Sequence, residues 1–138
     1  MRSGLALSDG AGLIFTSNGD EWRVERVQWN DPVLIDRTGS LCIGVTDPKT
    51  MTVYLADWLE GTLLARVLIH EMAHATMWSN GLIADIRKMV RPEHWIEAEE
   101  WICNFMADYG MGIYQNAAKV LTGKAIDCIP SMMESLIV

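Results

Sequence analysis

Residues 68–78 read LIHEMAHATMW, with His70 and His74 four positions apart and Glu71 directly after the first histidine. The chain has three histidines in all, so two of them around a glutamate at this offset is an unusual concentration. Four residues of an α-helix turn by about 400°, which brings both rings to one face, a turn apart and within reach of one ion. Glu71 is turned about 100° from His70, beside such an ion and not on it, where it can take a proton from an attacking water. Neutral imidazole suits a metal that needs no redox chemistry, so Zn2+ is the expected ion. The bland alternative is a half-buried helix whose histidines only find hydrogen bonds. Leu63, Leu64, Val67, Leu68 and Ile69 mark a packed helix, however, and burying two histidines and a glutamate there without a purpose would be costly.

A zinc ion that does chemistry takes three protein ligands and keeps a place for water. The stretch after Pro92 supplies Glu93, Glu97, Glu99 and Glu100. Such a run is expected to be mostly a solvated face. Glu100 is followed four residues later by Asn104, whose side-chain carbonyl could accept the other ring N–H of a metal-bound histidine. At the same offset Glu97 has Trp101 and Glu99 has Cys103, neither of which serves as well. Glu100 is therefore the expected third ligand and Asn104 the expected outer acceptor, with Glu97 and Glu99 as surface positions. A donor for a developing oxyanion is left open among His94, Tyr109 and Tyr114, since spacing selects none of them. Cys103 reads as a buried thiol acting as a small hydrophobe, not as a fourth ligand.

The elements that must position these groups change character near Ala56. Before it, the β-rich runs GLIFTS and EWRVERVQW lie on either side of the turn signal SNGD. LCIGVT and MTVYLA follow, separated by DPKT, so residues 41–56 read as a hairpin. Asp57 with Glu60 resembles a capping box, predicting a helix from there toward Asn80-Gly81. A second helix is expected from Pro92 to about Tyr109, and IYQNAAKVLTG reads as a further helix. No repeat or long linker divides the chain. At 138 residues and 50% hydrophobic composition, a single domain over residues 1–138 is expected.

The net charge of −7 argues against the nucleic-acid backbone as a partner, since that demands a basic face. Cys42, Cys103 and Cys128 are scattered and form no CxxC pair, so reduced thiols are expected instead of disulfides or a cysteine zinc knot. The opening MRSGLALSDGAG has too short an apolar run for a signal peptide, and no stretch approaches the ~20 apolar residues of a membrane span. A cytoplasmic protein without a membrane partner is the expectation; oligomeric state is left open.

HEMAH together with EEWICNFMADYG resembles the ImmA/IrrE-type metallopeptidases, small gluzincins usually found in bacteria, phages and mobile elements. Their second motif reads roughly E-x-x-A-N-x-F-A. Glu100 and Asn104 match it; Cys103 stands in place of the alanine, and Phe105 follows Asn104 directly. GVTDPKTMTVYLAD also looks like short phage members, and the resemblance spans roughly residues 41 to 110. It implies an α+β minimal zincin, with a small twisted, mostly antiparallel sheet packed on the HExxH helix and a second, glutamate-bearing helix. It also implies a zinc-dependent endopeptidase acting on a protein or peptide, a repressor or other regulatory protein among the candidates. MTVYLA would then be the edge strand that pairs with an extended substrate. One alternative is a catalytically silent zincin-fold protein of phage origin that sequesters a host or phage regulator, against which the intact Glu71 argues. The other is a structural zinc site closed by His94 or Cys103.

Overall fold

The structure, a computed structural model, describes residues 13–121. Its first hairpin is built on Asn18 and Gly19, with φ of 50° and 83°. Two successive positive φ angles are what a two-residue hairpin turn with the right twist requires, and Asn-Gly accepts both. The turn joins β1 (Ile14–Ser17) to β2 (Asp20–Val27). A 3-10 turn follows at Pro32–Leu34, and then β3 (Gly44–Asp47) and β4 (Thr52–Ala56) form the hairpin expected at 41–56.

The strand order is β1-β2-β4-β3. β1 with β2 and β3 with β4 are antiparallel, while β2 and β4 run parallel. The fold is thus α+β with a mixed four-stranded sheet, and the expectation of a mostly antiparallel sheet meets one parallel pairing at its centre. β4 is internal, so MTVYLA is not an edge strand. Its run of apolar residues, with Thr52, Val53, Leu55 and Ala56 all buried, reflects that central position. The edge next to the helices belongs to β3.

α1 spans Gly61–Ser79, starting four residues after Asp57. The expected capping box fails because the backbone there is already committed. Asp57 N–H donates to Val27 O at 2.8 Å, and Arg26 Nη2 reaches Asp57 O and Leu59 O, each at 2.6 Å. Leu59 is fully buried, and Glu60 caps the helix by position only, its side chain making no capping bond. The other end stops as expected, at Asn80 and a left-handed Gly81 (φ 73°). There Trp22 Nε1 donates to Ser79 Oγ at 2.8 Å and Asn18 Nδ2 to Ser79 O at 2.9 Å.

The helix expected from Pro92 to Tyr109 is broken into pieces. A short helix that the sequence reading missed, α2 (Leu82–Met89), comes first. Pro92–His94 then forms a 3-10 turn, α3 covers Trp95–Phe105, and a π-turn occupies Met106–Gly110. α4 runs Met111–Val120 where IYQNAAKVLTG was expected to be helical. Among the described residues a first compact unit ends at Asp108, and a second, beginning at Tyr109, contains α4. The first twelve residues and those after 121, Cys128 among them, lie outside the described residues. No helix among the described residues is long and apolar enough to cross a membrane.

Two apolar clusters hold the first unit. Val53, Leu55, Leu59, Leu64 and Val67 pack β4 against α1, and Met77, Ile86 and Cys103 join α1, α2 and α3. The approach of β3 to α1 needs Gly44. A Cβ there would fall 2.7 Å from Val67 Cγ1 and 3.1 Å from Glu71 Cγ. Gly44→Ala is therefore expected to cost about 1–3 kcal/mol, the range for overpacking. Urea unfolding measures it; an unchanged midpoint would mean that the contact between strand and helix is loose.

Candidate metal centre

α1 turns Leu64, Val67, Glu71 and His74 inward at helical spacing, so the HExxH glutamate and second histidine are carried to the buried side by the same apolar stripe that docks the helix. His70 lies one turn before His74, and their Nε2 atoms are 3.2 Å apart. α3 faces them. Glu100 Oε2 is 3.1 Å from His70 Nε2, and its Oε1 is 3.2 Å from His74 Nε2. The cluster lies in a cleft of about 820 Å³ that β3 and the loop carrying Asp36 and Arg37 also line.

Glu99, expected on the solvated face, is instead enclosed between α1 and the Arg37 loop. It is 7% exposed, its Oε2 accepts from His74 Nδ1 at 2.5 Å, and its Oε1 accepts from Arg37 Nη1 at 3.1 Å. Neighbouring carboxylates do diverge by 100° around a helix, but the imidazole has two nitrogens on different edges. Glu100 meets the Nε2 edge and Glu99 the Nδ1 edge. Asn104 lines the cleft yet is exposed and makes no hydrogen bond to either histidine, so the outer acceptor expected of it is Glu99. Arg37 Nη2 also lies 3.7 Å from Glu100 Oε1, spanning both carboxylates. It is aimed by a tight turn in which Asp36 Oδ1 accepts from the N–H groups of Thr38 and Ser40.

Glu99 was legible in principle. Trp95, Ala98 and Ile102 mark one stripe of α3 at spacings of three and four, and Glu99, one turn before the buried Cys103, is the charged residue inside it. Arg37 sits in a loop and left no comparable signal.

Glu71 is 5% exposed; the Thr46 hydroxyl lies 2.9 Å from its carbonyl oxygen and 3.3 Å from Oε1. Burial pushes its carboxyl pKa up, against the pull of His74 and His70. Burial disfavours a charged His74, but Cys103, Glu100 and Glu99 outweigh it and push the ring up to about 12. For Glu99, burial is outweighed by the hydrogen bonds from His74 and Arg37, which hold the carboxyl below its usual range. Hydrogen bonds from His70 and His74 hold Glu100 well below it too. Burial raises the Cys103 thiol.

Of the possible oxyanion donors, His94 is directed elsewhere: it is exposed at the start of α3, with Nδ1 3.2 Å from Glu97 Oε2. Tyr109 and Tyr114 are exposed residues of the second unit. Cys103 is buried, and the ligand atoms of His70, His74 and Cys103 lie within 4.8 Å of one another, a group that could hold a metal ion.

Glu99→Gln tests the outer contact. It keeps the shape but removes the charge shared with His74 and Arg37, and affinity for a metal ion held by the histidines is expected to fall about 10- to 100-fold. Competition with a chromophoric chelator reads this directly; unchanged affinity would reduce Glu99 to a packing residue.

Fold and cluster together define an α+β chain with a histidine–carboxylate group in an open cleft. Compared with protein-family models, with curated proteins and with solved structures, the chain matches none.

Proposed function

We propose that the chain is a zinc-dependent endopeptidase acting on a protein substrate such as a repressor or other regulatory protein. In this reading His70, His74 and Glu100 hold the ion and Glu71 is the base. The observation that carries it is the spacing of the donor atoms, 3.1 to 3.2 Å between each histidine Nε2 and its Glu100 oxygen and 3.2 Å between the two Nε2 atoms. Tetrahedral zinc with bonds of about 2.0–2.1 Å separates its donors by about 3.3 Å, close to each of these distances, so two imidazoles and one carboxylate group suit one ion. Zinc held there would supply Lewis acidity and lower the pKa of water.

The chain's own residues do the rest. Nδ1–H of His74, donated to Glu99, leaves the Nε2 lone pair directed to the cluster. Glu71 accepts a proton from the attacking water, and the burial that raises its pKa brings it closer to the neutral range where a base works best. Among the described residues β3 is the edge strand of the sheet along the cleft, a position that suits pairing with an extended peptide.

A second reading is a closed structural site with Cys103 as the additional ligand, favoured by its nearness to both histidines. Two points weigh against it. Cys103 is set in the apolar cluster with Met77 and Ile86, and burial favours the neutral thiol over the thiolate that binds metal.

About one zinc per chain is expected after dialysis, and none at stoichiometry in His74→Ala; full retention in that variant would sink the assignment. Because His74 keeps its proton through the neutral range without metal, and zinc takes only the neutral ring, binding expels that proton. Affinity is therefore expected to rise about tenfold per pH unit between about pH 6 and pH 8. Chelator competition across that range checks the slope.

A further inference from the structure

The charges lining the cleft can be assigned one by one. Glu71, Glu99 and Glu100 belong to the histidine cluster; Asp36 caps its own turn, and Asp47 Oδ1 accepts from Lys49 N–H. Arg37 is held by Glu99 and Glu100, and Arg66 Nε lies 2.8 Å from Asp108. The side chains of Arg87 and Lys49 have no carboxylate partner among the described residues. Among the described residues, Arg87 and Lys49 are thus the cations facing the cleft without a carboxylate, while Asp36 and Asp47 are held by backbone N–H groups of their own turns.

Arg87 is the better placed of the two. Its guanidinium sits 5.0 Å from the centroid of the Trp95 ring, and that ring is fixed by Nε1–H donated to Val90 O at 3.1 Å. Beside it a smaller cavity of about 230 Å³ shares Arg37, Ile83, Arg87 and Ile96 with the cleft, and Ile86 and Trp95 add apolar wall. Glu99 also reaches this cavity, but its oxygens are taken by His74 and Arg37.

We infer that this side cavity is a specificity pocket for an acidic side chain of the peptide, with Arg87 binding the carboxylate. The inference rests on the peptidase reading for the ligand being a peptide. Apolar walls take the methylenes of Glu or Asp, and the planar guanidinium offers two parallel donors to the carboxylate. Stacking on Trp95 restrains the fork, so little freedom is lost on binding. A lysine in the same place meets like charge, which gives discrimination as well as affinity.

The probe is a set of fluorescein-labelled peptide mixtures in which one position at a time is fixed as Glu, Gln or Lys. They are titrated against zinc-loaded Glu71→Gln protein, so that binding is read without turnover. At one position Glu is expected to bind about tenfold or more tighter than Gln. Arg87→Gln should erase that preference, and Arg87→Glu should invert it toward Lys. Arg87 is exposed, so both variants are expected to fold, with circular dichroism as the check. A Glu preference at no position, or one that survives both substitutions, overturns the pocket. Incubation of the same mixtures with Glu71-intact protein separates the two readings. Arg87-dependent binding without cleavage overturns the peptidase and leaves the pocket standing; cleavage without acidic preference does the reverse.

Discussion

Glu71→Gln is expected to lower peptide cleavage by roughly 10²- to 10⁴-fold, the contribution of a positioned general base, while zinc stoichiometry and fold stay as they are. Glutamine has nearly the volume of glutamate and keeps an oxygen or N–H for the Thr46 hydroxyl, so the buried contact of α1 with β3 survives. What is lost is the ability to accept a proton. Removing a carboxyl whose charge burial disfavours should not destabilise the fold, and thermal unfolding of the variant should match or exceed that of the wild type. Wild-type cleavage rates in this variant would refute the base, and a wild-type chain that binds zinc but cleaves nothing would favour the sequestering alternative.

The second large effect separates the two candidates for the remaining ligand. Glu100→Ala is expected to weaken zinc binding beyond the 10- to 100-fold typical of an outer contact, because it removes both oxygens that face the histidine Nε2 atoms. Cys103→Ser, which replaces one small buried group by another, is expected to leave affinity within a few-fold. Cobalt provides an independent readout, since a thiolate ligand adds an intense near-ultraviolet charge-transfer band to the Co2+ spectrum. That band should be missing in the wild type. Its presence, with loss of affinity in Cys103→Ser and none in Glu100→Ala, would replace the open site by the closed one.

What could be read in advance was what periodicity and turn chemistry control. The Asn18-Gly19 hairpin, the 41–56 hairpin and the end of α1 at Asn80-Gly81 each rest on a local backbone requirement visible in one or two residues. The start of α1 was misread because Arg26, far away in sequence, holds the carbonyls of Asp57 and Leu59. The place of β4 in the sheet was misread because a strand's neighbours are set by tertiary pairing, on which its own residues are silent. At the cluster, His70, Glu71 and His74 share one helix and so could be grouped by spacing. The expectation of Glu100 leans on its neighbour Asn104, which makes no hydrogen bond to either histidine. The pairing of Glu99 with His74 depends on which ring nitrogen faces α3, and helix geometry on one element alone does not carry that information.

α1 is held at both ends by residues of the first hairpin: Arg26 takes the carbonyls just ahead of it, while Trp22 and Asn18 take Ser79 at its close. A rod fixed at two points has a defined phase as well as a defined position. Each residue added between the two clamps would swing everything beyond it by about 100°, and the histidines can stay opposite α3 only if one clamp lets go. The length of α1 is thereby as strict a determinant of the cluster as its side chains. Changes of length are compatible with both clamps only in steps close to a whole number of turns, so insertions that spare the cluster belong in the loops around α1 and not within it.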